Sequence, residues 1–319
     1  MTTLITGAGL IGRLTATRLR AQGEPVLMTD IRTPAAGDST DLPFVQMDVT
    51  DWPRLCELIR EYGVRDIVHT AAMLTPAIRR DPLAGVRVNV MGAAHVLEAA
   101  RLFGLRRVVI ASSTTVMYSA FGSLPGTPIP EDFAFRVVSE RPASIYACTK
   151  LANEHLALAY AQQHQVDAVV LRYAAVLGGG PEGASSVPGR MLDCLLQAGR
   201  DGRPARYEDP NLLWGGPEEF IDARDCARAT VAALRAPNPT QRIYNIATGE
   251  CVTFDELVAL VRRSFPALRV EGVQLPDGGL SGFPFQRPAP SDVSASAKEL
   301  GFRARYSLAD TVAHLARAP

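Results

Sequence analysis

Thr3-Leu4-Ile5-Thr6-Gly7-Ala8-Gly9-Leu10-Ile11-Gly12 reads as a strand, a glycine-rich turn and the opening of an amphipathic helix that runs to about Gln22. The spacing is Gly7-x-Gly9-x-x-Gly12. In such a turn the first glycine permits a tight bend, the second lets the backbone approach a pyrophosphate, and the third lets the helix pack close to its strand. The helix then points its free N–H groups at the phosphates. Such a motif alone is weak, but here it follows a strand and precedes a helix, the context it requires.

Working outward, a second strand from Pro25 to Thr29 ends at Asp30, within about 20 residues of Gly12, where an acid accepts hydrogen bonds from the adenosine ribose. An acid there repels a 2′-phosphate, so NAD is expected over NADP; Arg32 nearby argues the other way. A third strand, Phe44 to Val49, places Asp48 at its end, to meet an adenine amino group or simply to close a turn. The fourth strand, Asp66 to Thr70, runs into Ala71-Ala72, whose small side chains leave room for a cofactor, and its His69 reads as a packed residue. A long helix from about Leu83 to Phe103 carries Asn89, and a fifth strand, Arg107 to Ala111, enters Ser112-Ser113-Thr114-Thr115. Strands alternating with helices predict an α/β, doubly wound parallel sheet of Rossmann type.

A second cluster of chemistry lies in Ser144-Ile145-Tyr146-Ala147-Cys148-Thr149-Lys150. On a helix, Tyr146 and Lys150 share a face. A phenol titrates near 10 in water, and an adjacent ammonium is expected to pull it toward neutrality, giving an acid/base for an alcohol or carbonyl. The chain has 33 Lys+Arg but only two lysines, Lys150 and Lys298. A protein that uses arginine for almost all its cations has a compact ammonium at this position.

Composition is that of an ordinary globular protein: 319 residues, 47% hydrophobic, 21% charged, formal net charge zero. Zero net charge argues against a nucleic-acid or anionic-membrane partner. No apolar run approaches the roughly 20 residues of a spanning helix, and the N-terminus enters a strand with no signal-peptide pattern. The five scattered cysteines, without CxxC spacing, suggest reduced thiols, a cytoplasmic setting and no metal site.

Taken together these pieces resemble the extended short-chain dehydrogenase/reductases, the NAD-dependent epimerase/dehydratase superfamily. The matching pieces are the glycine turn, Asp30, His69-Thr70-Ala71-Ala72, Asn89-Val90-Met91-Gly92, Ser112-Ser113, Tyr146-x-x-x-Lys150, Leu171-Arg172-Tyr173, Phe220 to Asp225 and Tyr244 to Ala247. The resemblance implies a catalytic set of Ser113, Tyr146 and Lys150, with Ser113 chosen over Ser112 because it lies three residues before Val116. It implies cofactor contacts from Gly7, Gly9, Leu10, Ile11, Gly12, Asp30, Asp48, Val49, Ala71, Ala72, Asn89, Tyr146, Lys150 and Tyr173. It also implies a homodimer through the helix carrying Asn89 and the Tyr-Lys helix.

Departures from the family narrow the activity. The glycine turn is one residue shorter than is usual in extended members. Dehydratases place an Asp-Glu pair where this chain has Thr114 and Thr115, and hydroxyls cannot replace those carboxylates. Nucleotide-sugar enzymes carry an arginine where this chain has Glu218, followed by Glu219, and a carboxylate there would repel a diphosphate. Arg287-Pro288 keeps the form of the second phosphate-binding region. Arg190 and Arg287 are therefore candidate anchors for a smaller anion, and Met73, Thr114 and Trp214 candidate substrate contacts. The long Gly/Pro/Phe-rich segment 117–142 is expected to cover the substrate, and with Met73–Pro76, Trp214 and Phe283–Phe285 it suggests a largely apolar pocket.

The expected organisation is a dinucleotide-binding part over 1–177, to which 220–247 returns, and a mainly substrate-binding part over 178–319 that opens on the breaker cluster Gly178-Gly179-Gly180-Pro181. The expected activity is NAD-dependent oxidation or reduction of a small secondary alcohol or ketone. Epimerisation by the same residues and a catalytically silent cofactor-binding module are the alternatives.

Overall fold

A computed structural model describes residues 2–33, 42–142, 144–179, 184 and 186–317, so Gly180 and Pro181 of the breaker cluster lie outside the described residues. The strands are β1 (Thr2–Thr6), β2 (Val26–Asp30), β3 (Phe44–Gln46), β4 (Val64–His69), β5 (Arg107–Ser113), β6 (Ala168–Tyr173), β7 (Ala175–Leu177), β8 (Phe220–Asp222) and β9 (Ile243–Ile246). Seven of them form one sheet in the order β3-β2-β1-β4-β5-β6-β9, with every neighbouring pair parallel. These strands are short Val/Ile/Leu-rich runs, as a parallel sheet covered on both faces requires. The strand order reverses beside β1, which opens a crevice at the carboxyl ends of β1 and β4.

Successive strand residues go to opposite faces. Ile5, Met28, Val68, Val109 and Leu171 pack one way, against α1 (Leu10–Arg20) and α9 (Ala223–Arg235). Leu4, Leu27, Ile67, Val108 and Val170 pack the other way, against α2 (Trp52–Glu61), α5 (Gly92–Phe103) and α7 (Ile145–His164). Residues 243–246 thus join the main sheet beside β6. β7 and β8 pair separately and support a C-terminal core with α8 (Val187–Asp201), α10 (Phe254–Ser264) and α12 (Leu308–Arg317).

Two expected elements differ. The helix expected over 83–103 is three pieces: α4 (Pro82–Val86), a π-helical turn Arg87–Met91, and α5. Asn89 sits on the π turn, a rare form of helix found often at functional sites. The segment 117–142 is not wholly a cover. Its start is a 3-10 helix, Thr114–Ala120, and Met117, Tyr118, Phe121 and Ile129 form a small buried cluster with Phe283 and Ala289. The apolar side chains that suggested a pocket are largely spent on one another.

Candidate functional site

The glycine turn leaves no room for side chains at two of its three glycines. At Gly7, φ is +94° and a Cβ would stand 2.5 Å from the Ala71 nitrogen. At Gly12 it would stand 2.0 Å from the Gly7 carbonyl oxygen. Only Gly9 faces open space, with no heavy atom within 4 Å, and it caps α1 without a side chain. The N-terminus of α1 thus has open space at Gly9 and no capping side chain, where the first-turn N–H groups of a helix have no intrahelical partner. That arrangement fits a pyrophosphate.

Asp30 borders the same turn. Its Oδ2 accepts the Ala8 N–H at 2.8 Å and its Oδ1 the Arg32 N–H at 3.1 Å. Each oxygen keeps a lone pair for a ribose hydroxyl. Asp48 is exposed, and its Oδ1 accepts both the Thr50 N–H and the Thr50 hydroxyl at 2.8 Å, which closes a turn. Val49 is buried against Gly92, where a Cβ would come within 2.7 Å of its Cγ1. Ala71 and Ala72 lie half-buried at the exit of β4. His69 is buried beneath them, its Nδ1 2.7 Å from the Thr6 hydroxyl. Burial, aided by the Lys150 charge, pushes its pKa down to about 3, so it remains a neutral packed residue.

Two residues named as cofactor contacts are engaged elsewhere. Asn89 is fully buried. Its Oδ1 accepts the Met73 N–H at 2.7 Å, and its Nδ2 donates to the Met73 carbonyl and the Thr149 hydroxyl, both at 3.1 Å. Thr149 in turn donates to the Tyr146 carbonyl at 2.8 Å. Asn89 is a clamp between the β4 exit and α7. Tyr173 turns its phenol into the core, 2.7 Å from the Thr230 hydroxyl on α9, so a cofactor could meet only its main chain.

Ser113, Tyr146 and Lys150 come together at the carboxyl end of β5. Ser144 caps α7 by accepting the Ala147 N–H at 3.4 Å, which fixes Tyr146 in the first turn. The Ser113 hydroxyl lies against the Tyr146 phenol and also bonds the Thr115 hydroxyl, while accepting the Thr115 N–H at 3.2 Å. Lys150 is buried, donates to the Ala111 carbonyl at 2.8 Å, and stands 5.6 Å from the Tyr146 ring centroid. This corrects the expected electrostatics. Burial pushes the Tyr146 phenol up to about 12, opposed by the Ser113 hydrogen bond. Burial also draws Lys150 down to about 8, opposed by Glu154. The ammonium is held by a carbonyl of β5, so desolvation outweighs its pull on the phenol.

The candidate substrate contacts fare unevenly. Met73 is half-buried beside the crevice, its main chain in the Asn89 clamp. Thr114 is buried, and Thr115, which the sequence reading did not choose as a contact, is the half-buried hydroxyl next to Ser113. Arg190 is 41% exposed on α8, 3.8 Å from Asp209. Trp214 is fully buried in the C-terminal core, edge-on to Phe220 and Phe254 at 5.4 Å, so it lines no pocket. Arg287 is fully buried too, its Nε 2.9 Å from Glu218 and its Nη1 3.3 Å from Glu219. It cannot serve as an exposed anion anchor, and Glu218 is spent on it instead of repelling a ligand. Among the described residues, no group of three or more His, Cys, Asp or Glu is placed to hold a metal ion, and no helix is long and apolar enough to cross a membrane.

A parallel sheet with a glycine turn at its switch point and a Tyr-Lys pair at its carboxyl edge defines an extended short-chain dehydrogenase/reductase. The NAD dependent epimerase/dehydratase family is matched over residues 3–247, and the chain belongs to that family of NAD-dependent dehydrogenases and epimerases. It is similar, at 28% identity over 96% of this chain and 92% of the relative, to an uncharacterised epimerase/dehydratase of Staphylococcus aureus. Its fold is that of a GalE-like L-threonine dehydrogenase from Cupriavidus necator, with TM-score 0.83, 23% identity and 99% of each chain covered. It is also similar to MoeE5, solved with UDP-glucuronic acid and NAD, with TM-score 0.75, 26% identity, and 98% of this chain and 97% of that one covered.

Proposed function

We propose that the protein is an NAD-dependent dehydrogenase of a small secondary alcohol, with Ser113, Tyr146 and Lys150 as its catalytic residues. The observation that carries this reading is the meeting of the Ser113 hydroxyl, the Tyr146 phenol and the buried Lys150 ammonium at the sheet's carboxyl edge. NAD, when bound, supplies the hydride acceptor. Ser113 orients the substrate oxygen, Tyr146 takes its proton, and Lys150 supplies the charge that favours the phenolate. Asp30, placed at the glycine turn, favours NAD over NADP. Leu10, Ile11 and the three glycines hold the pyrophosphate.

Sequestration of Arg287 by Glu218 and Glu219 supports a substrate smaller than a nucleotide sugar. L-threonine, the substrate named for the Cupriavidus relative, is the first compound to try. Epimerisation is the second reading, favoured by the likeness to MoeE5 with its bound UDP-sugar acid. The reading includes a cytoplasmic setting, supported by free cysteines, and a homodimer. Exposed Leu83, Met91, Leu102, Ile145 and Leu158 lie along α4, the π turn, α5 and α7, the helices expected to pair.

The test is thermal shift with NAD and NADP, followed by NADH release from L-threonine and a panel of secondary alcohols. Stabilisation by NAD alone with NADH from one alcohol supports the dehydrogenase. Stabilisation with stereochemical interconversion of a sugar and no NADH replaces it with the epimerase. No stabilisation by either dinucleotide overturns both.

A further inference from the structure

Tyr146, Lys150 and Glu154 recur every fourth residue of α7 and so share one stripe of the helix. Glu154 is 0% exposed. A carboxylate in such a place must be paired, and this one is: Oε1 accepts from the Ser112 hydroxyl at 2.6 Å and from Arg172 Nε at 2.9 Å, and Oε2 accepts from the Arg172 Nη2 at 2.7 Å. Ser112 and Arg172 stand opposite each other in the β5–β6 register, so the sheet itself presents both donors to the helix. Arg172 shares its charge further, donating to the Glu131 carbonyl at 2.8 Å and lying over the Phe133 ring. None of this is used by the reaction proposed above.

We infer that Glu154 is a positioning residue for the acid/base pair, a buried carboxylate one helical turn behind Lys150 that favours the Lys150 ammonium, with Ser112 and Arg172 fixing the carboxylate in place. The inference rests on the reading of Tyr146 and Lys150 as that pair. Among the described residues, charged and titratable groups approach Lys150 from three elements. Tyr146 and Glu154 face it from its own helix, His69 from β4, and Arg172 from β6 is committed to Glu154. His69 is neutral, and Glu98 and Arg101 on α5 pair with each other farther along, beside Tyr160. Glu154 is thus the negative group that opposes the loss of charge burial imposes on Lys150.

The consequence is chemical. When the Tyr146–Lys150 pair loses one proton, either group can give it up, and only the form with a phenolate and a charged lysine puts the base on Tyr146, beside Ser113. Glu154 lies one turn from Lys150 and two from Tyr146, so it favours keeping the proton on the lysine.

The test uses the two-lysine composition. Lysine labelled with ¹³C and ¹⁵N gives side-chain resonances from Lys150 and the exposed Lys298 only, and Lys298→Arg assigns them. The Lys150 midpoint is expected near 8, to fall by about one unit or more in Glu154→Gln, and to recover largely in Glu154→Asp, with Lys298 unmoved. If Glu154→Gln does not fold, Glu154→Leu with Arg172→Met replaces the ion pair by apolar side chains, which buried pairs often tolerate; because the Arg172 cation leaves as well, Arg172→Met alone is measured beside it, and the Lys150 midpoint is expected to be lower in the double variant than in Arg172→Met. A midpoint within about a third of a unit of wild type overturns the inference. No substrate is needed, so the outcomes separate. An active dehydrogenase whose Lys150 ignores Glu154 overturns this inference alone. A protein that reduces no NAD, but whose Lys150 shifts as stated, supports the charge coupling and overturns the proposed function.

Discussion

At the scale of the residue, Tyr146 and His69 show burial acting on two titratable groups with different results. The Tyr146 phenol is pushed up to about 12, so in the free protein it is a reservoir of a proton and becomes a base only as the phenolate is stabilised. Tyr146→Phe is expected to lower the chemical rate by about 10²–10⁴-fold while leaving dinucleotide affinity within about threefold. Stopped-flow NADH release and calorimetric titration with NAD check the two halves. His69 is held neutral, its pKa drawn from 6.5 to about 3. Between those values the unfolded chain binds a proton that the folded chain refuses, so stability rises with pH across that window and is lost as pH falls through it. Chemical denaturation from pH 7 to 4 should show His69→Gln losing less stability than wild type, by up to about 1.4 kcal/mol per pH unit within the window. Equal pH slopes in the two proteins would contradict that account.

At the scale of the element, three short devices set the site: the glycine turn, the π turn and the cap of α7. Gly9 has ordinary φ of −69° and open space where a side chain would go. Gly9→Val should therefore fold with wild-type Tm yet bind NAD at least about tenfold more weakly. Gly12→Ala, whose Cβ would meet the Gly7 carbonyl, should lower Tm itself. Differential scanning fluorimetry with and without NAD separates the two effects. Asn89→Ala removes three hydrogen bonds from a buried clamp and should cost about 1–3 kcal/mol in urea denaturation, with slower turnover because the β4 exit loosens from α7. The glycine turn was legible in the sequence because spacing alone dictates its geometry. The π turn was not, since one extra residue in a helical repeat leaves the apolar periodicity almost intact. The clamp on Asn89 was hidden for another reason: its partners, Met73 and Thr149, lie on other elements.

At the scale of the whole molecule, the parallel sheet followed from the alternation of apolar runs and helical stretches, its strand order became visible only in the structure, and the structure brings Ser113, Tyr146 and Lys150 to one end of it. The C-terminal part was read less well. Trp214 and Arg287 look like ligand contacts when judged by residue type, but long-range packing consumes both, one in an aromatic core and the other between two glutamates. Glu154 carried a signal, its repeat of the Tyr146–Lys150 spacing, whose meaning needed the opposing strand pair to become visible. The exposed apolar side chains along α4, α5 and α7 predict a dimer of about twice the 34.3 kDa chain mass; light scattering that finds only monomer would refute it. The most direct measurement is NADH release by the wild-type protein and by Tyr146→Phe, side by side, with saturating NAD, L-threonine and a panel of small secondary alcohols. The account predicts NADH from at least one alcohol with wild type and essentially none with the variant. Equal NADH from both proteins, or none from a wild-type protein that demonstrably binds NAD, would contradict it.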